Sequence, residues 1–120
     1  VDKCQRIPSR KATEEEILRV HDQKYFEKVK STSGIDDNDK LEEISSEYDA
    51  IYFHPSTFEL SLLSAGCAID LVDNVVNDKI KNGFALIRPP GHHAMKAEAC
   101  GLENFEDLFK VLCNNENSKM

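Results

Sequence analysis

The sequence predicts an α/β fold organised on a parallel sheet. Residues 50–53, Ala-Ile-Tyr-Phe, make a short apolar run that stops before Pro55. From Phe58 onward, apolar residues recur at helical spacing through Leu62, Ala65, Ile69, Val72 and Val76. A second apolar run, Phe84 to Ile87, then enters Arg88 and the breaker Pro89-Pro90-Gly91. Strand, helix and strand within about forty residues define a βαβ unit, with parallel strands and a right-handed crossover.

Residues 1–12 are polar and read as an extended lead-in. Thr13-Glu14-Glu15-Glu16 is a capping-box pattern, since the Thr13 hydroxyl and the Glu16 carboxylate can each satisfy an end amide. The helix it opens runs on through Ile17, Leu18 and Val20. A second helix spans Asp22 to Lys30, with Tyr25, Phe26 and Val29 on its apolar side. Ser31 to Gly34 breaks it. Residues 39–47 form a third helix, with Leu41 and Ile44 three apart. Ser56 or Thr57 caps the long helix, whose stripe is widened by Leu63, Ala68 and Val75. It ends at residues 77–81, and Asn82-Gly83 supplies the turn into strand 84–88. A last helix, 105–113, is capped by Asn104 and carries Phe105, Leu108, Phe109 and Leu112 on one face. Two strands are too few for a parallel sheet covered on both faces, so the chain reads as the beginning of a larger α/β fold.

Composition narrows the function. The chain has 120 residues, and 22 acidic against 15 basic side chains give a net charge of −7. That balance argues against a surface for nucleic-acid phosphates. The acidic run 36–49 reads as a solvated helix or loop, because no glycine stands where a calcium loop turns. No apolar run approaches membrane-spanning length. The four cysteines, Cys4, Cys67, Cys100 and Cys113, form no C-x-x-C pair. They fit reduced thiols in cytosol or nucleus, with Cys67 a small core residue.

Chemistry concentrates at Arg88-Pro-Pro-Gly-His-His-Ala94. A strand that breaks into a turn and presents titratable groups is a common way to build an active site in an α/β protein. From the residues alone, His92 and His93 can be a core pair, a metal site or an acid–base pair. A local site from His92, His93, Cys100 and Cys113 matches no standard zinc spacing.

This segment resembles the signature of the zinc-dependent lysine deacetylases, the histone deacetylase family. Its Arg-Pro-Pro form is similar to class II members. Arg10-Lys-Ala-Thr-Glu-Glu-Glu-Ile17, His21-Asp-Gln-Lys-Tyr25, Ile51-Tyr-Phe-His-Pro-Ser-Thr-Phe58 and Ala97-Glu-Ala-Cys-Gly101 resemble class IIb domains, the branch that includes the tubulin deacetylase. The resemblance covers residues 5–101. It implies an arginase/deacetylase-like three-layer fold, of which 1–101 is the N-terminal part and 102–120 a divergent helix and tail.

It also implies a mechanism. In the family a zinc ion polarises the acetyl-lysine carbonyl and activates a water. By resemblance, His93 is the main general base and acid and His92 its electrostatic partner. Gly101 lines the channel for the lysine stem, and Arg88, Pro89, Pro90 and Gly91 support the loop. The implied substrate is an acetylated protein, histone- or tubulin-like, in cytoplasm or nucleus. His21, Tyr25 and His54 read as structural, and Ser56 and Thr57 as caps.

The sequence departs from the family at several points. Ala50 stands where related domains often have a serine that bonds the substrate amide. Leu102 stands where a channel aromatic is expected. The family's zinc ligands, an Asp-x-His and a more distant Asp, have no counterpart here, and the transition-state tyrosine is missing as well. The expectation is therefore a family fragment that binds no zinc and is inactive by itself. The alternatives are a non-catalytic interaction or regulatory splice product, associating with a homologue or a chaperone, and an incomplete reading of a longer gene. An arginase-like metallohydrolase finds no support, because no cluster of metal-binding Asp and His motifs is present.

Overall fold

The structure, a computed structural model, describes residues 4–47, 53–88 and Lys96. Its described elements are four helices: α1 Glu14–Leu18, α2 Gln23–Ser31, α3 Asn38–Ser45 and α4 Thr57–Val76. Among the described residues no helix is long and apolar enough to cross a membrane.

The start of α1 is fixed by local chemistry. The Glu16 amide donates to Thr13 Oγ1 at 3.2 Å, and the Thr13 amide donates to Glu16 Oε1 at 2.9 Å. This is the reciprocal box that the sequence spells. α1 stops at Leu18 rather than reaching Val20, because the carbonyl of Ile17 takes the amides of both Val20 and His21 in a turn, at 3.1 and 3.0 Å. α2 begins one residue after Asp22 and buries Tyr25, Phe26 and Val29. Gly34, with φ +77°, follows its end and donates its amide to the Pro55 carbonyl at 3.1 Å. A left-handed residue at that place suits glycine. The acidic run does form a largely solvated helix, α3. The Asp37 carboxylate accepts from the amides of Asp39 and Lys40, while Leu41 and Ser45 turn inward.

The core lies where α1, α2 and α3 meet α4. Ile17, Tyr25, Phe26, Val29, Leu41 and Phe53 pack with Phe58 and Ile69. Phe26 meets Phe58 edge to face, with ring centroids 5.6 Å apart at 71°, a favoured aromatic geometry.

α4 departs from its expected stripe. Phe58, Ala68 and Ile69 are buried, but so are Ser61, Ser64 and Gly66, whereas Val76 is 44% exposed. A glycine is needed at 66 because the lead-in crosses the helix there. The Ala12 amide donates to the Leu62 carbonyl at 2.8 Å. A Cβ on Gly66 would stand 2.6 Å from the Ala12 nitrogen and 2.6 Å from the Lys11 carbonyl carbon. Cys67, expected in the core, is only half-buried and lines a groove that lead-in residues also wall.

The turn after α4 is not at Asn82-Gly83. It lies at Asn77-Asp78, where Asp78 has φ 57°. The Asp78 amide donates to Val75 at 3.1 Å and the Lys79 amide to Asn74 at 2.9 Å. This is a Schellman termination with aspartate in the left-handed place that glycine usually takes.

Residues 84–88 form no strand among the described residues. Exposure alternates along them: Phe84 is 87% and Leu86 91% exposed, whereas Ala85 and Ile87 are half-buried. The period of two is that of an extended chain with one side against the protein. A strand also needs a ladder partner, and the expected partner, 50–53, lies outside the described residues except for Phe53. The expected helix 105–113 and the 102–120 tail lie outside them too.

Candidate functional site

Of the predicted site residues, Arg88 is described and exposed. Pro89, Pro90, Gly91, His92, His93 and Gly101 lie outside the described residues, as do Ala50 and Leu102. The structure defines what flanks the histidine segment on either side.

On the incoming side, residues 84–87 run along an open groove of about 930 Å³. Its walls include Ile7 and Pro8 of the lead-in, Leu71 of α4 and Ile80 beyond it. Cys4 and Cys67 also line it. Half-burial of Ala85 and Ile87 gives this approach a hydrophobic seat.

On the outgoing side, Lys96 meets the corner between α1 and α2. Its carbonyl accepts the Asp22 amide at 3.0 Å. His21 Nδ1 lies 3.1 Å from the same oxygen. A carbonyl only accepts, so Nδ1 carries the proton and donates. The His21 ring is 4% exposed and tilted against Tyr25, 5.2 Å between centroids. The expectation that His21 and Tyr25 are structural agrees with this burial. His54 is exposed, and its Nδ1 accepts the Ser56 amide at 3.1 Å. Thr57 Oγ1 accepts the His54 amide at 2.9 Å, so the Thr57 hydroxyl bonds at the head of α4, while Ser56 occupies the cap position without a side-chain bond.

An ion-pair hub that the sequence did not disclose supports this framework. Arg10 grips Glu16 with both terminal nitrogens, at 2.8 and 2.9 Å, and donates Nε to Asp70 Oδ1 at 2.6 Å. It thereby ties the lead-in to α1 and α4 together. Asp70 stands sixty residues from Arg10, and nothing local marks the pair. Gly66 left only a weak mark in the sequence, since a lone glycine inside a helical pattern costs helix stability and hints at a packing reason.

The hydrogen bond from Arg10 pulls the Glu16 carboxyl down from 4.5 to about 2, against the opposing effect of burial. The same bond raises the Arg10 guanidinium. Because the folded value lies below the unfolded one, the contribution of Glu16 is fully present above about pH 4.5 and is lost as pH falls toward 2. Glu16→Gln is therefore expected to lower stability near neutral pH by about 1 kcal/mol, screened because Arg10 is partly exposed. Thermal melts of the variant should fall less steeply than wild type between those two pH values.

Among the described residues, no group of three or more His, Cys, Asp or Glu side chains converges so as to hold a metal ion.

Comparison with known proteins gives the arrangement a context. Residues 1–108 match the family described as "Histone deacetylase domain". The chain is similar to the human protein named "Polyamine deacetylase HDAC10", 42% identical over 106 residues, covering 88% of this chain and 16% of that protein. It is similar to "Histone deacetylase HDA1" of Saccharomyces cerevisiae, 37% identical over 103 residues, covering 86% of this chain and 14% of that one. Among solved structures it is similar to the "HDA15 HD domain", with TM-score 0.78 and 27% identity, covering 98% of this chain and 31% of the other. The chain thus spans under a fifth of the length of these curated relatives.

Proposed function

Since the chain belongs to the histone deacetylase family and holds part of its catalytic domain, we propose that it supplies the proton-handling half of a class IIb deacetylating centre. The observation that carries this is the Arg88-Pro-Pro-Gly-His-His-Ala94 motif, within a family match that spans it. In this reading His93 takes the proton of the attacking water and returns it to the leaving amine. His92 stabilises the charge that develops, and Gly101 lines the channel. Arg88, Pro89, Pro90 and Gly91 hold the loop. α4 is the crossover helix of a parallel sheet whose strands include 50–53 and 84–88.

The substrate class is an acetylated primary amine. The relatives are named as deacetylases of polyamines and of histones. Zinc, when bound in a complete domain, polarises the acetyl carbonyl. The sequence contains no Asp-x-His to hold it. General acid–base help of about 10²–10⁴-fold falls well short of enzymatic accelerations of about 10⁶ or more. The chain by itself is therefore expected to release no acetate above background from an acetyl-lysine peptide or an acetylated polyamine, with zinc or with chelator. Chelator-sensitive release would refute this.

A second reading is a non-catalytic role through association, with a deacetylase-like chain as partner. The exposure of Phe84 and Leu86 beside the groove favours it. Monodisperse protein that captures no such chain would count against it.

A further inference from the structure

The groove that residues 84–87 follow has an interior and a rim of different character. Six of its lining residues are half-buried: Ile7, Cys67, Leu71, Ile80, Ala85 and Ile87. None of the six carries a charge, and all but the thiol are hydrocarbon. The volume of about 930 Å³ lies within the range of small-ligand clefts, about 300–1,000 Å³. Gly83 also lines the groove and lets its wall close, since a Cβ there would run into the Leu71 side chain.

The rim carries one charge, and it is positive. Arg6 is exposed and lines the groove, and no lining residue is Asp or Glu. In a chain with 22 acids and a net charge of −7, that is a local inversion. Neighbouring acids do not cancel it. Asp70, which precedes Leu71, is held by Arg10. Arg10, Lys11, Lys28 and Lys96 each face a carboxylate, whereas Arg6 makes no ion pair among the described residues. Lys79 and Lys81 stand on either side of Ile80, and both are exposed. The exposed Asp78 offsets one of them, which leaves the mouth of the groove net positive.

We infer that this groove binds a free long-chain carboxylic acid, its hydrocarbon tail on the six half-buried residues and its carboxylate at Arg6. A guanidinium presents a planar fork of donors that matches a carboxylate. Removing the tail from water supplies most of the affinity. An unbranched tail suits a trough with one wall made of an extended run, which rises about 3.3 Å per residue and turns Ala85 and Ile87 inward. A cationic or polar ligand would leave either Arg6 or the apolar lining without a match. Nothing in this binding depends on His92 or His93.

The test reads protection of Cys67, whose half-buried thiol belongs to the lining. Its alkylation by N-ethylmaleimide is followed by mass spectrometry while saturated acids from hexanoate to dodecanoate are added below micelle formation. The expected result is saturable slowing, with affinity rising about fourfold per added methylene until the lining is filled. Arg6→Glu should weaken dodecanoate binding about tenfold, and Arg6→Lys should keep most of it. Dodecyltrimethylammonium, with the same tail and the opposite charge, should protect far less. No slowing, a series flat in chain length, equal protection by the cationic amphiphile or unchanged binding in R6E would each overturn the inference. Slowing by phosphatidylserine vesicles or by an acidic peptide, but not by the acids, would also overturn it and assign the groove to a membrane or a protein. Slowing that follows protein concentration alone would assign it to a second copy of the chain, with the same consequence. Far-UV circular dichroism checks that each variant keeps its helices. If R6E does not, Arg6→Gln takes its place, with about fivefold weakening expected and unchanged binding overturning the inference.

Discussion

Phe26→Ala is expected to abolish cooperative unfolding of this chain. The side chain is 3% exposed and joins α2 to α4 through its edge-to-face contact with Phe58. Truncating a buried phenylalanine costs about 3–5 kcal/mol, from lost transfer energy and the cavity left behind. A whole domain is stable by about 5–15 kcal/mol, and the packed body here rests on four helices among the described residues. The loss is therefore comparable with the total. Phe26→Leu keeps most of the volume and should cost only about 1–2 kcal/mol. Circular dichroism melts of the two variants separate the outcomes: a broad, featureless trace for Ala and a shifted but cooperative one for Leu.

Gly66→Ala tests a different kind of constraint. On an isolated helix the change would help by about 1 kcal/mol, because alanine orders at less entropic cost. Here the added Cβ meets the backbone of the lead-in, 2.6 Å from the Ala12 nitrogen, with the Arg10 carbonyl oxygen nearer still. Backbone atoms cannot rotate away as a side-chain tip can. The lead-in must lift, and the Ala12-to-Leu62 hydrogen bond lengthens with it. Overpacking costs about 1–3 kcal/mol, occasionally more, and the lost bond about 1 kcal/mol. The net expectation is destabilisation by about 2 kcal/mol. A denaturant melt in which G66A matches or exceeds wild type would show that the lead-in does not press on α4.

What could be read from the sequence follows the range of the forces involved. The start of α1 was legible because its capping box is complete within Thr13 to Glu16. α2 and α4 were legible from their apolar spacing, although neither Asp22 nor Ser56 makes a side-chain cap bond. The inward face of α4 was not fully so. Hydropathy favoured Val72 and Val76, but Ser61 and Ser64 are buried as well, and the lead-in selects Gly66 by size, a crossing that leaves no periodic mark. The turn at Asp78 was hidden because an aspartate holds the left-handed place, while Asn82-Gly83 offered a better local signal. Strand 84–88 could not be decided locally at all, since a ladder needs its partner. The Arg10–Glu16–Asp70 hub depends on a contact sixty residues apart. At the candidate site, the motif was visible in the sequence, whereas the bonds that Asp22 and His21 make to the Lys96 carbonyl were visible only in three dimensions.

Zinc binding by the purified chain, followed by calorimetric titration with the reduced protein, tests most directly whether it carries the histidine pair without the grip for the metal. The account predicts no stoichiometric heat in the micromolar range and no shift of the His92 and His93 imidazole signals. One-to-one uptake at submicromolar affinity, abolished by His92→Ala or His93→Ala, would contradict it.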